Sequence, residues 1–162
     1  MFCGYYFYNF FKLGDNYRKD SYITLAGCGS KEIGINTAGI KNTYIGGYKW
    51  CCVDNSTFIG FETKEKLSCV EDLFRGKKVP KNRYWVSGTS FGCPKLIGKW
   101  CNGRDEPLIG DHIPWAPGEP SKDLSKECVY AEYDNVTSKF TFGKVGCKTS
   151  LNYICEYNSL LV

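Results

Sequence analysis

The chain is expected to fold as an α+β domain stapled by disulfides, on three observations. It carries ten cysteines in 162 residues. The segment from Thr63 to Gly76 has the period and the end signals of an amphipathic helix. The second half reads as short strands of Val, Ile, Tyr, Phe and Trp between turns.

The composition sets the frame. A chain 43% hydrophobic and 23% charged is globular rather than disordered. Its length suits one domain, 1–162, and no repeat or linker divides it. The net charge of +4 comes from Lys and Arg read as scattered, without a basic stripe, so no nucleic-acid partner is expected. No apolar run is long enough for a membrane span. The N-terminal MFCGYYFYNFF lacks a basic leader and does not read as a signal peptide. The expectation is a mature chain, or one missing part of its N-terminus.

The cysteines are Cys3, Cys28, Cys51, Cys52, Cys69, Cys93, Cys101, Cys128, Cys147 and Cys155. An even count invites a paired framework. Zinc would need close C-x-x-C pairs with spaced histidines, but no two cysteines stand so and His112 is the only histidine. Disulfides imply an oxidising compartment, hence a secreted, extracellular protein. Two sequons, at Asn55 and Asn135, make these N-glycosylation candidates and fit that compartment.

In chain order, Tyr5 to Phe11 is dense in strand residues, and Lys12 to Asn16 is turn material. Residues 20–47 are rich in Gly, Thr, Asn and Ile without a clean period. The stretch of about 12–47 is expected as an irregular insertion pinned at Cys28. Tyr44 to Cys52 suits a short helix or a strand, and Gly46-Gly47 weakens the helix. Thr57 to Phe61 reads as a short buried strand. Thr63 is then an N-cap with Glu65 in the first turn. Leu67, Val70, Leu73 and Phe74 share one face, and Arg75-Gly76 closes the helix. Arg83 to Gly88, Cys128 to Tyr133 and Tyr153 to Glu156 read as strands.

No catalytic set emerges, so no enzyme is expected. Gly88-Thr89-Ser90-Phe91-Gly92 fits G-x-S-x-G, but Cys93-Pro94 follows at once and blocks the required helix. His112 lies 22 residues beyond Ser90 and reads as a loop residue beside Trp115. The acidic pairs Glu71-Asp72 and Asp105-Glu106 read as surface charge, and nothing sets two carboxylates in an apolar site.

Several motifs now line up. Cys51, Thr57-Phe58-Ile59-Gly60, Tyr84-Trp85-Val86-Ser87-Gly88 and Trp115-Ala116-Pro117-Gly118-Glu119-Pro120-Ser121 come in order, followed by Glu127-Cys128-Val129, Cys147 and Tyr153-Ile154-Cys155-Glu156. From Cys51 to Glu156 the chain resembles a C-type-lectin-like domain. The Cys51-Cys52 doublet and the Ser87-Gly88-Thr89 variant are similar to arthropod members. The resemblance implies two helices with antiparallel strands and a long loop. It also implies the disulfides Cys51–Cys155 and Cys128–Cys147. Cys93–Cys101 is expected as a local staple. Cys52–Cys69, tying the two helices, and Cys3–Cys28 complete one of the pairings left open.

In sugar-binding members one calcium ion sits at the long loop. Its oxygen ligands come from an E-P-N loop, a Glu before the cysteine of the following strand, and a W-N-D triplet. Here Glu119 and Pro120 are kept, Ser121 replaces Asn, Lys126 replaces Glu, and Glu127 stands one position later. The triplet falls on Phe142-Gly143-Lys144. No cofactor is therefore expected, with calcium only at a secondary site. Lys126 and Lys144 are expected either to pair with Glu119 and Glu127 or to stand solvated. The resemblance implies a secreted recognition module, independent of calcium, for a protein or glycan ligand on a cell or microbial surface. The other reading is a glycan-binding lectin using a non-standard site. The ligand-binding candidates are Trp115, Glu119, Ser121, Lys126, Glu127, Phe142 and Lys144. Trp115, Phe142 and the two lysines are expected to form an exposed contact face.

Overall fold

The computed structural model describes residues 22–28, 30–36, 40–53, 56–89 and 111–157. The expected strand at Tyr5–Phe11, the pair Cys93–Cys101, Cys3 and the sequon at Asn55 lie outside these residues. Tyr22–Gly27 (β1) and Ser30–Asn36 (β2) form an antiparallel hairpin. This corrects the expected irregular insertion. Its tight turn places Gly27 at φ 122° and Cys28 at φ 59°. Ile33 and Ile35 alternate into the core around Gly34. The hairpin is fixed by a distant partner: β2 pairs along Asn152–Tyr157, the strand that closes the described chain.

Tyr44–Val53 (α1) is helical despite its two glycines. Thr43 Oγ1 accepts the Gly46 N–H at 3.2 Å. A side chain at Gly47 would put Cβ 3.1 Å from the Phe58 ring and 3.2 Å from Tyr153. Close packing thus outweighs the glycine's poor helix propensity. Thr57–Phe58 (β3) follows and pairs with the same closing strand.

Lys64–Gly76 (α2) forms as its sequence signals predict. The Thr63 hydroxyl accepts the Lys66 N–H at 3.1 Å, and Leu67, Val70 and Phe74 are buried. The end differs. Lys78 N–H bonds Arg75 O and Val79 N–H bonds Phe74 O, both at 3.0 Å. Lys78, at φ 53°, takes the left-handed position where glycine is favoured, two residues beyond Gly76.

The remaining strands are Asn82–Thr89 (β4), Cys128–Asp134 (β5), Lys139–Val145 (β6) and Asn152–Tyr157 (β7). The sheet runs β1-β2-β7-β4-β5-β6, with β3 also on β7. Most pairs are antiparallel, but β4 and β7 are parallel, so the sheet is mixed. The chain leaves β4, makes the loop and the β5–β6 hairpin, and returns between β2 and β4.

Alternation along the strands sends side chains to two cores. Tyr84, Val129, Phe140, Phe142 and Ile154 pack with α2 residues, while Trp85, Tyr153 and Cys155 pack with Tyr44 and Tyr48 of α1. The Trp85 indole N–H donates to Asn42 O at 2.7 Å, so its burial leaves no donor unmet. Glu71 of α2 accepts the Phe140 N–H at 3.1 Å and the Lys139 ammonium at 2.6 Å, stitching the helix to β6. Lys66 Nζ lies between two buried carboxylates, 2.9 Å from Glu62 and 2.6 Å from Glu156.

Cys51 bonds Cys155, and Cys128 bonds Cys147. Cys28 bonds Cys69, which overturns both Cys3–Cys28 and Cys52–Cys69. The reason is the hairpin: its turn carries Cys28 to α2, with 5.5 Å between the Cα atoms. Cys52 is also disulfide-bonded. No helix among the described residues is long and apolar enough to cross a membrane.

Candidate functional site

The β5–β6 ladder has two ends. At one, Asn135 and Val136 stand exposed in the hairpin turn. At the other, residues 111–127 fold back on the sheet. His112 Nε2 lies 3.0 Å from Phe61 O, so this histidine anchors the start of the loop. The backbone then runs beside β6. Phe142 N–H bonds Pro114 O at 3.0 Å, and Ala116 N–H bonds Phe142 O at 2.8 Å. The half-buried Trp115 ring meets Phe142 edge-on, 6.4 Å between centroids.

Phe142 does not belong to an exposed face. It is 0% exposed and packs in the α2-side core with Phe61 and Phe140. The period of β6 requires this, since Phe140 and Phe142 point the same way. Trp115 is thus the one aromatic of the expected pair that reaches the surface.

The polar groups of the loop meet one another. Glu119 Oε2 accepts the Ser121 N–H at 2.6 Å and the Lys144 N–H at 3.1 Å. Lys144 Nζ donates to the Ser121 carbonyl at 3.3 Å. Ser121 Oγ accepts the Asp123 N–H, and Asp123 accepts both the N–H and the hydroxyl of Ser125. The Ser125 bonds, helped by the charges of Lys126 and Lys144, hold the Asp123 carboxyl below the usual carboxylate range. The expected ion pairs do not form: among described residues, neither Lys126 nor Lys144 is bridged to Glu119 or Glu127. Backbone amides occupy Glu119 instead, that of Ser121 from the turn at 119–121 and that of Lys144 from β6. Lys126 contributes its N–H to Asp123 O, and the Glu127 carbonyl accepts the Thr89 hydroxyl.

The structure adds Tyr130, which was not among the candidates. Its partner across β5–β6 is Gly143. A Cβ at Gly143 would stand 2.5 Å from the Tyr130 hydroxyl and 2.7 Å from Cζ. The ring therefore fills the space that a side chain of residue 143 would take, an aromatic covering a strand glycine. Arg83 lies over the ring at 4.8 Å and is itself bonded to Glu132 at 2.7 Å. Burial, opposed by Arg83 and aided by Glu119 and Glu132, pushes the Tyr130 hydroxyl above its ordinary range. Sequence reasoning missed Tyr130 because the disulfide Cys128–Cys147 marks the hairpin but not its register, in which Cys128 faces Val145.

Gly143→Ala is expected to cost about 1–3 kcal/mol, the usual range for overpacking. Adding Tyr130→Ala should recover part of that loss. Urea unfolding of the two singles and the double gives the coupling; simple additivity would mean that the ring yields freely.

A mixed sheet with α1 and α2 packed on different cores, and a long loop laid along β6, defines a C-type-lectin-like fold. Solved structures agree. Human lithostathine matches with TM-score 0.66 and 16% identity over 84% of this chain and 88% of that one. The C-type lectin domain of murine dendritic cell inhibitory receptor 2, in complex with N-glycan, matches at 0.64 and 13%, over 87% and 98%. A calcium-independent type II antifreeze protein matches at 0.58 and 17%, over 86% and 93%. No protein-family model matches the sequence, and no curated protein matches it. At these identities the likeness establishes the fold alone: the chain has a C-type-lectin-like fold.

Proposed function

We propose that the chain is a secreted recognition module that binds protein or microbial-surface ligands through the 115–126 loop without calcium. The observation that carries this is the wiring of Glu119. Its Oε2 is engaged by two backbone amides, and Lys144 adds an ammonium 3.3 Å from the Ser121 carbonyl. Calcium needs six to eight oxygens at 2.3–2.6 Å. The donor set does not suit it: Gly143 has no side chain, Tyr130 covers its position, and Lys126 and Lys144 bring positive charge. A calcium-independent protein among the similar structures fits this reading. Secretion is supported by the three disulfides of the described residues. The similar domains that bind ligands make an enzyme the poorer choice. The half-buried Trp115, the exposed Lys122 and Leu124, and Lys126 supply the contact chemistry.

A glycan array, run with and without EDTA beside a panel of microbial cells, tests this. The expected result is binding to cells or proteins unchanged by EDTA. Sugar binding that survives EDTA points to the glycan-binding alternative. Binding abolished by EDTA and restored by calcium would end the calcium-independent reading.

A further inference from the structure

Five cations stand in nine residues from Arg75 to Arg83, with no acid among them. The reading of Lys and Arg as scattered therefore fails here. Folding gathers this run on the turn between α2 and β4, and Arg75, Lys77, Lys78, Lys81 and Arg83 are all exposed. Three of them have acidic neighbours. Arg75 bonds Asp72 at 2.7 Å, Arg83 bonds Glu132 at 2.7 Å, and Lys81 lies 3.7 Å from Glu132 and 4.0 Å from Asp134. Lys77 and Lys78 form no ion pair with any described residue.

Lys78 carries a further signal. At φ 53° a non-glycine residue is strained by roughly 1–2 kcal/mol. Glycine is the favoured residue at this step of a helix end. The chain instead keeps an exposed, unpaired ammonium there. The turn is also held rigid, by the 3.0 Å bonds from Lys78 to Arg75 O and from Val79 to Phe74 O. The β5 residues opposite β4 here, Glu132 and Tyr133, run on to the exposed 135–137 turn, so the ridge lies at the far end of the ladder from the loop.

We propose that this ridge is a second binding face, for an acidic polysaccharide of the sulfated or uronic type. A ridge of five exposed cations, with Lys77 and Lys78 unpaired among the described residues, fits a linear polyanion, and the choice of a polysaccharide over a nucleic acid rests on the extracellular reading above. The site shares no residue with the loop, so either assignment can fail alone.

The test uses the full oxidised chain on immobilised heparin in a salt gradient. Wild type should be retained at about 0.15 M salt. Lys77→Gln/Lys78→Gly should bind about tenfold more weakly. Lys41→Gln/Lys49→Gln removes the same charge from the exposed residues beside and on α1 and should elute as wild type. Because glycine suits φ 53°, the Lys78→Gly change should keep or raise the melting temperature, so weaker retention cannot be ascribed to unfolding. The proposal is overturned by a wild type that flows through, or by equal loss in both variants. Loss with Lys144→Ala but not with the turn variant also overturns it, as does binding only to phosphatidylserine vesicles.

Discussion

Replacing both Cys51 and Cys155 by alanine is expected to lower the unfolding free energy by about 4–5 kcal/mol, measured in guanidinium under oxidising conditions. The bond joins residues 104 apart, and closing so long a loop constrains the unfolded chain strongly. The inner Cys128–Cys147 link shortens the effective loop by less than a fifth, since it spans 19 residues. Loop entropy varies only with the logarithm of length, so that correction is a fraction of a kcal/mol. The same reasoning gives about 3 kcal/mol for losing Cys128–Cys147. The ranking is the sharper test. If the short-loop variant proves the less stable, the constraint is not entropic and local packing at Cys128 controls the result.

Lys66→Met is expected to cost about 3–5 kcal/mol. The Lys66 side chain is 7% exposed, and its two partners, Glu62 and Glu156, are 5% and 0% exposed. Glu156 also accepts the Gly60 N–H at 3.2 Å, so the cluster joins α2 to β7 and to the segment after β3. Methionine fills the volume but removes the positive charge, leaving two carboxylates in a poorly hydrated space. Buried carboxylates are costly when a cation partner is withdrawn. A second change, Glu62→Gln, should recover part of the loss, and a double-mutant cycle would show it. A cost below 1 kcal/mol would mean that the ammonium is solvated as exposed ion pairs are.

Local signals in the sequence were enough for some elements and not for others. The helix at Lys64–Gly76 was legible because Thr63, Leu67, Val70 and Phe74 carry cap and period within a few residues. The strand at Asn82–Thr89 was legible from its own aromatic and β-branched run. The hairpin at Tyr22–Asn36 was not, because its strand character is completed by a partner more than a hundred positions away. The partner of Cys28 was not legible for the same reason: only the hairpin turn brings it to Cys69. At the loop, Ser121, Gly143 and Lys144 were identifiable from the motif, and the structure joins Ser121 and Lys144 through Glu119. Phe142 was misplaced although the Phe140-Thr141-Phe142 alternation already put both rings on one face. Tyr130 needed the strand register, which no single position reveals.

The place of β7 bears on how the chain reaches this state. It is the last described strand in sequence, yet it lies inside the sheet, with β2 and β3 on it and β4 parallel beside it. Until residues 152–157 arrive, the hairpin has no sheet to join and Lys66 has no Glu156. Apart from the β1–β2 and β5–β6 hairpins, the strand pairings are remote in sequence, which places the domain among slowly folding topologies. During synthesis on a ribosome, the earlier strands wait with unsatisfied edges, and Cys51 waits as a thiol. Oxidation in the correct order then depends on protecting those edges until the closing strand is made.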